Sequence, residues 1–262
     1  MSDGRQAELL QNALREMAAE GREVVAAPPF RAYLDRGTDL RYLNYAVPDA
    51  GAGAPWERGS IEALAAEFAA RGRVPRLEIV EACWPGLVDA LEQAGFTVEG
   101  RLAGMTCTRS ELLEAPAPAG VTLAVEGADT PDARIRARLE AQGAAFSAVA
   151  DPAPVTDADV TRARSRTGGS VAAWADDGRC LGAASWVGVR LGVSEVAGVG
   201  VLQAERGRGI AGALTAAAAS GAFAAGADLA FLTPGDDGAQ RVYARAGFQE
   251  RVRCVHIARD KG

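Results

Sequence analysis

At 262 residues the chain is about 1.7 times a roughly 150-residue domain, so two compact units are expected. Hydrophobic residues at 48% and charged residues at 24% exclude disordered and fibrous classes, and leave enough apolar side chain for a sizeable core. A net charge of -6 argues against nucleic acid and anionic membrane as partners and favours a small molecule.

Asp3, Arg5, Gln6 and Glu8 precede any apolar run, which is not the pattern of a secretion signal, and a cytoplasmic protein is expected. The longest apolar stretch, Leu214 to Ala225, is broken by Thr215, Ser220 and Gly221 and falls short of the roughly 18 residues a membrane span requires. Cys83, Cys107, Cys180 and Cys254 are far apart, without a C-x-x-C pair. They read as reduced core thiols, with neither a zinc site nor a disulfide framework.

In chain order, Leu40 to Ala46 reads as a strand, Ile61 to Ala70 as a helix and Arg76 to Ala82 as a strand. Around Glu114-Ala115-Pro116-Ala117-Pro118-Ala119-Gly120 periodicity stops, and a semi-rigid connector divides a first domain, 1–115, from a second, 121–262. Val121 to Val125 then reads as a strand, Thr130 opens a helix running to about Phe146, and a short helix covers Asp157 to Arg164. Next comes an antiparallel meander: Ser170 to Ala175, a turn at Asp176-Asp177-Gly178, Cys180 to Val189, a turn near Leu191-Gly192, and Glu195 to Leu202. The remainder reads helix (Gly209 to Ala225), strand (Asp228 to Thr233), helix (Ala239 to Ala246) and strand (Phe248 to Ala258). The first half echoes the second, since Leu91-Glu92-Gln93-Ala94-Gly95-Phe96 aligns with Tyr243-Ala244-Arg245-Ala246-Gly247-Phe248, as expected of a diverged internal repeat.

Arg206-Gly207-Arg208-Gly209-Ile210-Ala211-Gly212 lies between a strand and an alanine-rich helix, so its N–H groups can converge at a helix N-terminus and attract a pyrophosphate. The spacing is not G-x-G-x-x-G, and there is no G-K-[ST], so neither a dinucleotide fingerprint nor a Walker loop fits. Where the second half has this turn, the first has Pro48-Asp49-Ala50-Gly51-Ala52-Gly53-Ala54-Pro55-Trp56, longer and interrupted by proline.

Arg206, Gly209 and Ala211 match R/Q-x-x-G-x-G/A, and Tyr243 followed by Gly247-Phe248 stands at the expected distance downstream. With these two linked motifs the sequence resembles the GNAT acyl-CoA N-acyltransferases. The resemblance implies an α+β fold of two GNAT-like domains, each a mixed, mostly antiparallel sheet flanked by helices, the first degenerate. It implies acetyl-CoA as acyl donor, with the amides of Gly207, Arg208, Gly209, Ile210, Ala211 and Gly212 on its pyrophosphate, and Arg206 and Arg208 beginning the loop. The strand bearing Val199, Gly200 and Val201 would pair with the pantetheine arm, its glycines suiting close approach of a ligand. Glu195, among valines, is the implied general base and Tyr243 the implied acid. Many relatives carry asparagine where this chain has Asp236. No metal is called for, and the lone His256 gives a hydrolytic triad little support.

Leu91 takes the position of Tyr243 in the first half, which is therefore expected to complete the sheet and cover the acceptor cleft. Trp84, Trp56, Phe30 and Tyr33 are candidates for lining that cleft, or for satellite core. Direct acetyl transfer to a primary amine of a small molecule leads. A CoA-sensing module and a transferase for longer acyl-CoA stay open, as does the oligomeric state.

Overall fold

The computed structural model describes residues 3–147 and 154–260. They form two compact units, the first made of Met1–Gly104 together with Glu250–Gly262, the second of Met105–Gln249.

In the first unit a helix, α1 (Asp3–Ala19), precedes the hairpin of β1 (Glu23–Ala27) and β2 (Phe30–Leu34). A 3-10 turn, Arg41–Leu43, leads into β3 (Tyr45–Pro48). There follow α2 (Arg58–Ala70), β4 (Arg76–Val80), α3 (Leu87–Gln93) and β5 (Thr97–Thr108), whose last four residues belong to the second unit. The expected strand over Leu40 to Ala46 is therefore shifted. Asn44 explains it, because its Nδ2 donates to the carbonyls of Thr38 (3.0 Å) and Leu40 (2.8 Å) and coils the chain just ahead of the strand.

β2 pairs antiparallel with β1 and β3, whereas β3 meets β4 in parallel at Ala46↔Leu77. Ile61, Leu64 and Phe68 of α2 recur at helical spacing, and with Leu87, Val88 and Leu91 of α3 they pack with Phe30, Ala32, Leu77 and Ile79 of the sheet. Phe30, Trp84 and Trp56 belong to this core, and Tyr33 to a separate cluster. Phe30 stacks on Trp56 at 5.8 Å, Trp84 meets the Trp56 ring edge-on at 6.1 Å, and Tyr33 packs with Ala18 and Val47.

The second unit continues with β6 (Val121–Val125), α4 (Asp132–Phe146), α5 (Asp157–Ser165), β7 (Gly168–Ala175), β8 (Cys180–Val187) and β9 (Val193–Val201). After a 3-10 turn at Gln203–Glu205 come α6 (Ile210–Ala224), β10 (Leu229–Leu232), α7 (Asp237–Arg245) and β11 (Gln249–Ala258). β6 to β9 form the antiparallel meander, β9 and β10 are parallel, and β10 pairs antiparallel with the end of β5. The alanine and glycine content of α6 has a packing reason: a Cβ on Gly221 would lie 2.7 Å from the Trp186 ring, and one on Gly169 of β7 only 2.2 Å from it. Only small residues let the sheet and helix close on that indole.

Two borders differ from the sequence-based division. The first unit ends at Gly104, upstream of the proline-rich connector, which stays with the second unit: Leu113 N–H donates to the Ala246 carbonyl at 3.1 Å. β11 pairs antiparallel with β4, from Cys254↔Val80 to Ala258↔Arg76, so the last strand belongs to the first unit. Alternating hydrophobicity marks a strand but not its partner. No helix among the described residues is long and apolar enough to cross a membrane.

Candidate active site

β9 pairs with β10 only as far as Glu195↔Phe231, yet it runs on to Val201, so one edge of Val196–Val201 has no strand partner among the described residues. On its other edge β9 stays paired with β8, and there Ala183↔Gly200 and Ser185↔Ala197 leave Gly198 and Val199 opposite the single residue Ala184. This is a β-bulge, and Gly198 supplies the left-handed φ of 62° that it needs. Glu195, half-buried, stands at the point where the two strands part.

The glycines of β9 have another purpose than the sequence suggested. A Cβ on Gly198 would lie 2.4 Å from Gln142 Nε2, and one on Gly200 would lie 2.9 Å from the Ala145 Cβ and 3.0 Å from the Phe146 ring. They admit helix α4 to the strand.

Past β9 the chain turns through Gly207 (φ 79°) and Gly209 (φ 88°), the latter capping α6. A Cβ at either position would meet nothing within 4 Å, so conformation alone requires glycine there. Two positive φ values just ahead of a helix start are a backbone pattern that can turn successive N–H groups toward an anion. The side chain of Arg206 is spent on structure: its Nε donates to the Val201 carbonyl (3.2 Å) and its terminal nitrogen to that of Ala145 (3.0 Å). Arg208 pairs with Glu205, which also meets Arg179 at 3.5 Å. Backbone amides rather than guanidinium groups are therefore what the loop offers an anion. Ile210 is buried, anchoring the first turn, while Ala211 and Gly212 are half-buried.

Tyr243 lies on α7 and is buried, and its phenol pKa is raised, first by burial and then by the nearby charge of Asp236. It is therefore the neutral phenol, not a phenolate, at neutral pH. Asp236 caps α7 by accepting from Ala239 N–H at 2.7 Å, a sufficient reason for a carboxylate there. Arg241 and Arg245 are exposed. The tyrosine helix ends in Gly247 at φ 99°, where a Cβ would fall 2.0 Å from the Glu111 carbonyl oxygen.

The first unit repeats this ending without the chemistry. Phe96 N–H donates to the Leu91 carbonyl (3.0 Å) as Phe248 N–H does to that of Tyr243 (3.1 Å), and Gly95 takes φ 84°. Leu91 is fully buried, and the Trp56 indole N–H donates to the Pro85 carbonyl at 3.0 Å, fastening the long loop to the start of α3. Residues missed from the sequence are Gln142, which donates to the bulge, and Arg138 and Glu126 behind it; the i,i+4 spacing of Arg138 and Gln142 was their only local signal. Among the described residues there is no group of three or more His, Cys, Asp or Glu side chains that could hold a metal ion.

The parallel pair of β9 and β10 thus parts ahead of a glycine turn and a helix start, and comparisons with known proteins assign the family. The Acetyltransferase (GNAT) family profile matches residues 138–248, from α4 through the Gly-Phe pair. A GCN5-related N-acetyltransferase from Kribbella flavida is 33% identical with a TM-score of 0.78, the match covering 98% of this chain and 96% of that one. A GCN5-related N-acetyltransferase from Sphaerobacter thermophilus (20% identity, TM-score 0.67, covering 98% and 92%) shares the fold. So does a tandem GNAT protein from the clavulanic acid biosynthesis pathway (17%, 0.62, covering 89% and 79%). No curated protein sequence matches the chain. The chain belongs to the GNAT family of GCN5-related N-acetyltransferases, and it is an acyltransferase.

Proposed function

We propose that the second unit transfers the acetyl group of acetyl-CoA to a primary amine of a small molecule, by direct attack within a ternary complex. The observation that carries this reading is the parting of β9 from β10 just past Glu195, beside the turn of Gly207 and Gly209. The amides from Gly207 to Gly212 hold the pyrophosphate, and the free edge of Val199, Gly200 and Val201 takes the pantetheine amides. Arg206 supports the loop through its bonds to Ala145 and Val201, and Arg208 supports it through Glu205.

Glu195, directly or through one water, accepts the proton of the attacking amine as the new C–N bond forms, and strand amides polarise the thioester carbonyl. Tyr243 gives its phenolic proton to the sulfur as the C–S bond breaks. The raised pKa keeps that proton available. The first unit, with Leu91 in the tyrosine position and a proline-bearing loop tied down by Trp56, binds no acetyl-CoA in this reading. The net charge of -6 favours a cationic acceptor, and four cysteines that form no disulfide suit a reducing cytoplasm.

Calorimetry with acetyl-CoA, followed by thiol release across an amine panel, tests the reading. Binding with amine-dependent release is expected, and Tyr243→Phe and Glu195→Gln should each lower kcat by roughly ten- to ten-thousandfold. Unchanged kcat in both variants would remove the role assignments, and binding without release in the wild type would instead mark a CoA sensor.

A further inference from the structure

The bulge in β9 is held by a chain of three side chains from one direction. Glu126 accepts from Arg138 Nε at 2.9 Å, and the two side chains are only 15% and 5% exposed. Arg138 donates onward to Gln142 Oε1 at 3.2 Å, one helical turn along α4, and Gln142 Nε2 donates to the Gly198 carbonyl at 2.6 Å. Because a guanidinium can only donate, Arg138 fixes which end of the Gln142 amide faces it, and so directs the Nε2–H at the bulge. The charge pair behind Arg138 holds the guanidinium in place in a poorly solvated setting. A glycine is needed at the receiving end, since a Cβ there would collide with Gln142.

The consequence lies on the far side of the peptide plane. A trans peptide points its carbonyl and its N–H in opposite directions, so fixing the Gly198 carbonyl toward α4 fixes the Val199 N–H away from it. It also sets how the following amides leave the strand, along the edge that has no partner from β10. Glycine alone gives no such fixity, because it moves readily between positive and negative φ.

We propose that Gln142, oriented by Arg138 and Glu126, is a positioning residue: it locks the bulge so that a β9 amide is aimed at the thioester carbonyl of the acyl donor. The inference rests on the acetyl-transfer reading above. Gln142 itself touches no reacting atom. Removing it frees the Gly198 carbonyl and lets the peptide rotate, so carbonyl polarisation is lost while the pyrophosphate cradle at Gly207 and Gly209 is untouched.

The test uses acetyl-CoA labelled with carbon-13 at the thioester carbonyl, bound to the full-length protein, with the carbonyl stretch read by difference infrared spectroscopy. Wild type is expected to shift the stretch to lower frequency relative to the free thioester. Gln142→Met, close to isosteric, should lose most of that shift with little change in the dissociation constant for CoA measured by calorimetry, and Glu126→Gln should lose part of it. Circular dichroism checks folding, and if Gln142→Met does not fold, Glu126→Gln carries the comparison. A wild-type complex without a shift, or a shift unchanged in the folded variants, overturns the relay but leaves acetyl-CoA as donor. No calorimetric binding to wild type overturns the donor reading and the relay together.

Discussion

Replacing Gly247 by alanine tests the packing of the tyrosine helix, because its repeat partner Gly95 provides an internal control. Both glycines end a short helix in the left-handed region, at φ 99° and φ 84°. Forcing an L side chain into that region costs roughly 1–2 kcal/mol, and the accompanying loss of unfolded-state freedom acts similarly on both variants. The surroundings differ. At Gly95 the nearest atom to an added Cβ is the Arg259 Cδ, 3.7 Å away on a flexible chain. At Gly247 the Glu111 carbonyl oxygen would be at 2.0 Å, its carbon at 2.9 Å and the Leu113 nitrogen at 3.1 Å, all backbone. That segment must retreat, breaking the hydrogen bond from Leu113 N–H to the Ala246 carbonyl, which adds about 1 kcal/mol before any loss of packing. Gly95→Ala should therefore destabilise its unit by about 1–2 kcal/mol and Gly247→Ala by about 2–4 kcal/mol. Urea unfolding supplies the free energies, with amide exchange of peptides from each unit to assign the transition. Equal losses for the two variants would refute the Glu111 contact as the source of the difference.

His256 is held below the ordinary imidazole value of 6.5, first by burial and then by Arg76, against the opposing pull of Glu78 and Glu99. The unfolded chain therefore takes up this proton first, so stability is full above about pH 6.5 and falls as pH drops through the folded-state value. Thermal melts from about pH 7.5 to about pH 5 should show His256→Gln losing less stability on acidification than wild type, and parallel curves would refute the assignment. Leu191, exposed, takes a positive φ of 51° in the tight turn between β8 and β9, followed by Gly192 at 76°. Leu191→Asn should raise stability by about 0.5–1 kcal/mol, read as a higher urea midpoint at constant slope, because Asn-Gly suits such a turn.

Much of the candidate site was legible because its determinants are local. The glycines at Gly207, Gly209 and Gly247 answer to backbone dihedrals that neighbouring residues impose, and they stand in the sequence at fixed offsets from a helix start or end. The meander from β7 to β9 was read near its true bounds for the same reason, since turn residues mark its hairpins. What was not legible depended on partners distant in the chain. The glycines of β9 read as room for a ligand, but α4 occupies that side of the strand. Arg206 read as the start of the loop, and its bonds to carbonyls of α4 and β9 could not be read from the sequence.

The sequence by itself therefore determined the family, the glycine turn ahead of α6 and the tyrosine helix, since helix caps and left-handed glycines are fixed within a few residues. Only the tertiary structure decided that β11 completes the first unit against β4, where β9 leaves β10, and that Glu126, Arg138 and Gln142 hold the bulge. Strand pairing and side-chain relays are settled by free energies summed over the whole fold, and a strand's own alternation is compatible with many partners.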